Sequence, residues 1–127
     1  GGGGIYVSGG SNVEINNVTV KIKYSASGRH LFYANNSTLT VNSGNFEVLN
    51  TGYHYFSMQN NANVFVKGGT FAGMLDSRAP VFYESGAVLE ISGGKFWAGS
   101  RPFNPTSYLA AGYKAERVGN YYEVVAE

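Results

Sequence analysis

The chain has 127 residues, enough for one domain with a real core but too few for two ordinary domains. Only 13% of the residues are charged, whereas there are 18 Gly, 10 Tyr and 8 Phe, a composition typical of β structure with many turns. The net charge of +1 argues against nucleic acid as a partner, and the lack of cysteine excludes disulfides and thiolate metal sites. No apolar run is long enough to cross a membrane, so we expect no membrane insertion.

The chain begins with four glycines and has neither a starting methionine nor a signal-peptide pattern. We interpret residues 1–4 as a glycine-rich linker or an excision scar, and the chain as a piece of something longer. A less regular repeat of 26 residues follows, from Ile5 to His30. It carries apolar residues at places comparable with those of the later repeats, namely Ile5, Val7, Val13, Ile15 and Val18.

Three successive 25-residue segments, 31–55, 56–80 and 81–105, align without gaps. Such self-similarity is the signature of a repeat architecture. Glycine or a serine–glycine pair recurs between the apolar positions, as Ser43-Gly44, Gly68-Gly69 and Gly93-Gly94. The aligned apolar columns are Leu31, Phe56 and Val81; Tyr33, Met58 and Tyr83; Leu39, Val64 and Leu89; Val41, Val66 and Ile91; and Phe46, Phe71 and Phe96.

Short apolar and polar alternations separated by Gly, Asn and Ser predict three strands and three turns in each repeat. Stacked coils would place equivalent residues about 4.8 Å apart in parallel pairing. Residues 5–103 are therefore predicted to form an all-β, right-handed parallel β-helix of about four coils, with an antiparallel sandwich as the main alternative. The residues expected in buried vertical stacks are Leu39, Val41, Phe46, Val64, Val66, Phe71, Leu89, Ile91 and Phe96.

Residues 104–127 break the repeat. Asn104-Pro105 followed by Gly112 predicts one or two turns of helix, with a capping side chain at its start and glycine at its end. Residues 113–118 and 121–125 flank Gly119-Asn120, a two-residue turn of the kind that closes hairpins. We expect this segment to cap the C-terminal end of the stack, because an open end exposes apolar side chains and unpaired backbone.

The repeated string Gly68-Gly69-Thr70-Phe71 and Gly93-Gly94-Lys95-Phe96, with the ending from Asn104 to Val124, resembles the pectate-lyase-like β-helix repeat proteins. The resemblance covers roughly residues 31 to 127. It implies the fold and an extracellular setting on a bacterial surface or in phage fibres and spikes. It implies no single activity, because members include adhesins, virion parts and polysaccharide-cleaving enzymes.

No catalytic constellation is predicted. A glycosidase needs two carboxylates about 5 to 9.5 Å apart, and the chain has one aspartate, Asp76, and seven glutamates that fall into no close pair in the repeat register. A lyase would need an acidic cluster for Ca²⁺ beside a basic residue, and with a single aspartate that cluster is missing. His30 and His54 lack a suitable third metal ligand, since only Asp76 is near. We therefore predict no catalytic residue, no metal and no cofactor.

Basic and aromatic residues recur near the third predicted turn. They form a candidate ridge for a glycan or a cell-surface receptor, while the simpler interpretation is a solvated turn. The ridge candidates are Arg29, His30, Tyr53, His54, Arg78, Arg101 and Phe103.

Strand alternation also predicts that several large apolar residues point outward, namely Phe32, Phe65, Phe82 and Trp97. They are candidates for an oligomer interface, unless the chain folds back over them. Nothing before Ile5 offers apolar side chains to cover the first repeat, so we expect a homo-oligomer, with a trimer favoured.

These observations together lead us to expect a non-enzymatic structural or adhesive module that binds host or glycan surfaces. It would form the C-terminal part of a phage fibre, phage spike or bacterial surface protein. The alternatives are a polysaccharide-cleaving enzyme and a virion decoration protein without a ligand.

Overall fold

The computed structural model of the protein describes residues 5–22, 29–48, 53–73, 81–83, 86–99 and 102–127. The described residues form strands and one four-residue 3-10 helix. The fold is all-β, and the strands of successive repeats pair in parallel within three sheets.

Each repeat contributes one strand to each sheet. Sheet A contains, in spatial order, β1 (Ile5–Val7), β4 (Arg29–Asn35), β7 (Tyr53–Gln59) and β10 (Val81–Tyr83). Sheet B contains β2 (Asn12–Ile15), β5 (Thr38–Val41), β8 (Asn63–Val66) and β11 (Val88–Ile91). Sheet C contains β3 (Val18–Ile22), β6 (Gly44–Val48), β9 (Thr70–Gly73) and β12 (Lys95–Trp97), followed by the C-terminal hairpin, β14 (Tyr121–Ala126) and β13 (Tyr113–Val118).

The 25-residue register predicted from the sequence is confirmed in sheets B and C. Leu39 pairs with Val64, and Val64 pairs with Leu89, each partner lying 25 residues further along the chain. Eight of the nine predicted core residues are buried, with at most 1% of their surface exposed. The ninth, Leu89, is half-buried and packs against the core.

Phenylalanine rings stack along the direction in which the repeats follow one another. The Phe46 and Phe71 rings lie 5.0 Å apart, and the Phe71 and Phe96 rings lie 4.9 Å apart with only 3° between their planes. In sheet A, Phe32 and Phe56 stack in the same way at 5.3 Å. Offset aromatic pairs add stability beyond the area that they bury. The core is therefore held along the stack by two ladders of rings.

In sheet A the predicted register is wrong between the first and second of the three aligned repeats. Phe56 pairs with Phe32, 24 residues earlier, and not with Leu31, and Met58 pairs with Ala34 and not with Tyr33. Between the second and third repeats the predicted pairing of Phe56 with Val81 is confirmed.

The physical reason for the changed register is the turn between sheets A and B, which spans residues 36–37 in one repeat and 60–62 in the next. The longer turn contains Asn60 and Asn61, both with positive φ. A change of one residue in register exchanges the two faces of a strand.

Two orientations are corrected by this change of register. Phe32 was predicted to point outward, but it is 1% exposed and packs on Phe46 and Phe56 in the core. Tyr33 was predicted to point inward, but its ring stacks on Tyr6, which is 58% exposed. Phe32 is therefore a core residue and cannot contribute to an oligomer interface.

The glycine pairs lie where the chain turns from sheet B to sheet C. A Cβ atom on Gly68 would lie 2.3 Å from the carbonyl oxygen of Asn42 in the preceding repeat. Gly69 has a φ of +100°, which side chains rarely tolerate. The close stacking of these turns therefore requires glycine.

The C-terminal segment contains a single 3-10 turn, Pro105–Tyr108, in place of the predicted one or two helical turns. The Asn104 side chain caps it by accepting a hydrogen bond from the backbone N–H of Thr106 at 3.0 Å. Leu109 then pairs with Ile91, and β14 pairs antiparallel with β12. The predicted hairpin is confirmed, and together these contacts cover the last strands of sheets B and C.

Candidate functional site

The strand pairing brings part of the predicted ridge together. Arg29 pairs with Tyr53 and His30 pairs with His54, at the starts of β4 and β7. The side chains of these four residues, like all of Arg78 and Arg101, lie outside the described residues. For these six residues the ridge stays a prediction.

Phe103 does not belong to an exposed ridge, and its assignment there is wrong. It is completely buried, and its ring lies 5.1 Å from Phe96 and 5.4 Å from Tyr55. The prediction extended the 25-residue register past Trp97, where the chain instead folds back over the end of the aromatic ladder. Phe103 therefore continues the core.

The outward aromatic residues have different surroundings. Phe65 is half-buried on the outer face of sheet B, where it pairs with Thr40 and Glu90. Phe82 pairs with Ser57 in sheet A, and its side chain lies outside the described residues. Trp97 is half-buried on sheet C, where its ring packs edge-on against Tyr121 of the hairpin. An interface through Phe65, Phe82 or Trp97 stays a prediction.

The outer face of sheet C carries a groove of about 200 Å³. Two rows of outward side chains border it, because alternate residues of neighbouring strands lie side by side on one face. One row contains Thr19, Asn45 and Thr70, which are in register in β3, β6 and β9. The other contains Lys21, Glu47 and Ala72, and Tyr121 closes the end nearest the hairpin.

The groove exists because Ala72 is small. Its row neighbour on the preceding strand is Glu47, and the pairing of Phe96 with Phe71 places Trp97 beside it on the following strand. A methyl group between two long side chains leaves a depression in the sheet surface. A larger residue at position 72 would fill it.

The hairpin supplies the aromatic wall of the groove. Tyr121 is the first residue of β14 and pairs with Trp97. The two rings lie 5.7 Å apart and meet at 81°, a favourable edge-to-face arrangement. Trp97 therefore holds the Tyr121 ring at the groove edge.

The backbone of the groove floor is fixed from the core side. The phenol of Tyr55, a completely buried residue, donates a hydrogen bond to the carbonyl oxygen of Ala72. Burial, and then the nearby Tyr121 and Glu47, raises the pKa of Tyr55 far above its usual range. The phenol therefore stays protonated and remains a donor in neutral solution.

The chemistry of the groove suits a polyhydroxylated ligand. Glu47 accepts hydrogen bonds, Lys21 donates them, and the Asn45 amide and the Thr70 hydroxyl can do both. Tyr121 adds an aromatic surface. A few polar groups beside an apolar wall fix the orientation of a small ligand. The volume is below the range of sites for drug-sized molecules, so it fits a single ring or a chain end.

The sequence predicted Trp97 as an outward aromatic residue, but it did not predict the groove. Lys21, Glu47 and Ala72 share no residue type, so the repeat alignment gives their row no distinctive signal. Tyr121 lies outside the repeats, and its position depends on the pairing of β14 with β12. The one usable signal was Ala72 itself, because the equivalent outward positions in the repeats before and after it hold the long side chains of Glu47 and Trp97.

Within the described ranges, no group of three or more His, Cys, Asp or Glu residues is placed to hold a metal ion. No helix in the same part of the chain is long and apolar enough to cross a membrane. Comparisons with protein-family models, with curated proteins and with solved structures find no match for this chain.

Proposed function

We propose that the three parallel sheets close into a right-handed parallel β-helix that acts as a non-enzymatic structural and adhesive module. The closed architecture is supported by the way in which the chain visits sheets A, B and C in turn in each repeat. The Phe46 and Phe71 rings of sheet C also support it, because they contact the Phe32 and Phe56 rings of sheet A. Crossovers between parallel strands of this kind are almost always right-handed.

The groove over Ala72 is the observation that carries the binding function. It is built on strands of one sheet, and a hydrogen bond from the core fixes the backbone of its floor, so this backbone needs no ordering when a ligand binds. Preorganisation of this kind lowers the entropic cost of association. The ligand class is a glycan, because a sugar ring has a hydroxyl edge for Glu47 and Asn45 and an apolar C–H face for Tyr121.

The groove favours binding over cleavage. Among the residues placed around it, Glu47 is the one carboxylate, whereas glycoside hydrolysis uses two. The setting that we propose is extracellular, as the C-terminal part of a bacterial surface protein or of a phage fibre or spike. Its support is the resemblance carried by the glycine pairs and by the C-terminal segment.

Binding to an array of bacterial surface polysaccharides and their oligosaccharides tests the proposal. We expect the protein to bind at least one glycan, and Ala72→Leu to weaken that binding at least tenfold by filling the groove. Ala111→Leu is the matched control, because Ala111 is exposed on the C-terminal segment and does not border the groove.

Each step has an outcome that contradicts the proposal. No binding to any glycan, or equal binding by the protein and Ala72→Leu, would show that the groove is not a glycan-binding site. Release of reducing ends or of unsaturated sugars from a bound polysaccharide would replace the adhesive function with an enzymatic one.

A homo-oligomer, with a trimer favoured, remains part of the proposal. Phe65 supports it as a half-buried aromatic side chain on the outer face of sheet B, close to Val88, which is 43% exposed. A cyclic trimer would bring three such faces to one axis.

A further inference from the structure

The C-terminal hairpin gives sheet C a free edge. β13 is the last strand of the sheet, and in the part of the chain that the structure describes no strand pairs with its second side. Val124 donates its backbone N–H to Gly94 on the β12 side, so Val124 and its neighbour Ala115 exchange no backbone hydrogen bonds. Because hydrogen-bonded and other pairs alternate along an antiparallel ladder, the N–H and C=O of Ala115 point to the free edge. Such an edge is a template for another strand.

Two charged residues of opposite sign flank Ala115 on the outer face of this strand. The side chains of Lys114 and Glu116 are about half exposed, and their charged atoms lie 3.4 Å apart. Charged side chains on an edge strand usually prevent association with other strands. A second copy of this strand that runs in the opposite direction, with the two Ala115 residues opposed, would instead place each Lys114 opposite Glu116 of the other copy. The edge is therefore complementary to itself.

We propose that two copies of the chain associate through antiparallel pairing of their β13 strands about a twofold axis at Ala115. The two Ala115 residues then form a hydrogen-bonded pair, since their N–H and C=O groups point to the free edge. The two pairs of Lys114 with Glu116 fall at the adjacent positions without hydrogen bonds, where opposed side chains lie closer together. A twofold interface uses the same surface on both copies, and sheet C continues from one copy into the other.

The charges around Glu116 favour this arrangement. Within the chain, Glu123 of β14 lies directly opposite Glu116, and like charges in this position are destabilising. A lysine on the free side of Glu116 offsets that repulsion. The third charged residue of the strand, Arg117, has partners in its own chain, because it donates to the carbonyl oxygen of Gly119 at 2.8 Å and lies 5.9 Å from the centre of the Tyr122 ring. Lys114 and Glu116 are therefore the charges that decide the pairing.

This contact is separate from the other two proposals. β13 does not border the groove over Ala72, and Phe65 lies on sheet B. Glycan binding, association through the Phe65 face and association through β13 can therefore be tested independently.

Light scattering of the protein and of charge variants at micromolar concentration tests the contact. Glu116→Lys and Lys114→Glu each place like charges opposite one another and should halve the measured mass, whatever association the Phe65 face contributes. The double variant Lys114→Glu with Glu116→Lys restores two pairs of opposite charge and should recover the full mass. Lys67→Glu is the matched control, because it reverses the charge of an exposed lysine outside β13 and should leave the mass unchanged.

Mixing the two single variants gives a sharper test. Glu116→Lys has lysine at both positions and Lys114→Glu has glutamate at both, so neither variant matches itself but each matches the other. We expect an equimolar mixture to recover the mass of the unsubstituted protein.

A mixture that does not associate would overturn the proposal, as would a mass that neither single variant lowers. A double variant that stays dissociated would also overturn it, because Glu116 would then be pairing with a different surface of the second copy, such as the edge strand β3 with Lys21. A monomeric unsubstituted protein overturns it even if a variant folds poorly.

Discussion

Replacing Phe71 with alanine is the most informative perturbation of the core. Phe71 lies in sheet C, on the strand between those of Phe46 and Phe96, and none of its surface is exposed. Its ring contacts five aromatic rings with centroid distances between 4.9 and 6.4 Å. Both neighbours in the ladder are fixed on strands, so the cavity left by the substitution cannot close.

The expected loss follows from two contributions. Burial of a phenylalanine side chain is worth about 1.5 to 3 kcal/mol, and each well-placed aromatic pair adds about 0.5 to 1.5 kcal/mol. With the two stacked pairs counted, the free energy of unfolding should fall by about 4 kcal/mol, inside the usual range of about 3 to 5 kcal/mol for Phe→Ala. Phe71→Leu keeps most of the apolar volume but loses the ring pairs, so it should cost about 1 to 3 kcal/mol.

Urea unfolding followed by circular dichroism measures these losses, provided that the slope with denaturant stays unchanged. Thr19→Ala on the exposed side of the same sheet is the control and should change stability by no more than about 0.5 kcal/mol. A loss below about 1 kcal/mol for Phe71→Ala would refute the reasoning, because it would mean that the ring is not enclosed between its neighbours.

Three further predictions concern the turns, a buried phenol and the outer face of sheet B. Gly68→Ala should destabilise the fold by about 1 to 3 kcal/mol in the same urea assay, since its Cβ would meet the Asn42 carbonyl oxygen, and an unchanged midpoint would contradict this. The raised pKa of Tyr55 means that the folded state keeps this proton when the unfolded chain loses it near pH 10. The stabilisation from the protonated Tyr55 phenol is therefore fully present below about pH 10. Above that pH the free energy of unfolding of the protein should fall faster than that of Tyr55→Phe, by up to about 1.4 kcal/mol per pH unit. Parallel pH profiles for the two proteins would contradict this prediction. Phe65→Glu places a carboxylate beside Glu90 and should dissociate the trimer in light scattering, and a monomeric starting protein or an unaffected trimer would refute that interface.

The sequence predicted the features that depend on local pattern and repeat. Apolar alternation and an exact repeat length were enough for the columns from Leu39 to Ile91 and for the phenylalanine ladder of sheet C. The glycine pairs were correctly predicted as turns, since a side chain at Gly68 would collide with the neighbouring repeat. The hairpin around Gly119-Asn120 was predicted from its turn residues alone.

Features that depend on tertiary placement were not predictable in this way. A turn with one extra residue, containing Asn60 and Asn61, moved Phe32 from the outside to the core, because strand faces alternate with every residue. Phe103 was misassigned because the chain leaves the repeat after Trp97 and returns to the core. The groove required knowledge of where the hairpin places Tyr121, and no local pattern contains that information.

The most direct test of the central claim uses Trp97, the only tryptophan in the chain, which packs against Tyr121 at the groove edge. Its fluorescence should change and then reach a plateau as the tightest-binding glycan from the array is added. The reason is that a sugar over Ala72 would contact the Tyr121 ring that Trp97 supports. The midpoint should match the binding constant from calorimetry, and Ala72→Leu should abolish the change. Glycan binding that leaves the Trp97 emission unaltered, or that survives in Ala72→Leu with full affinity, would contradict the account.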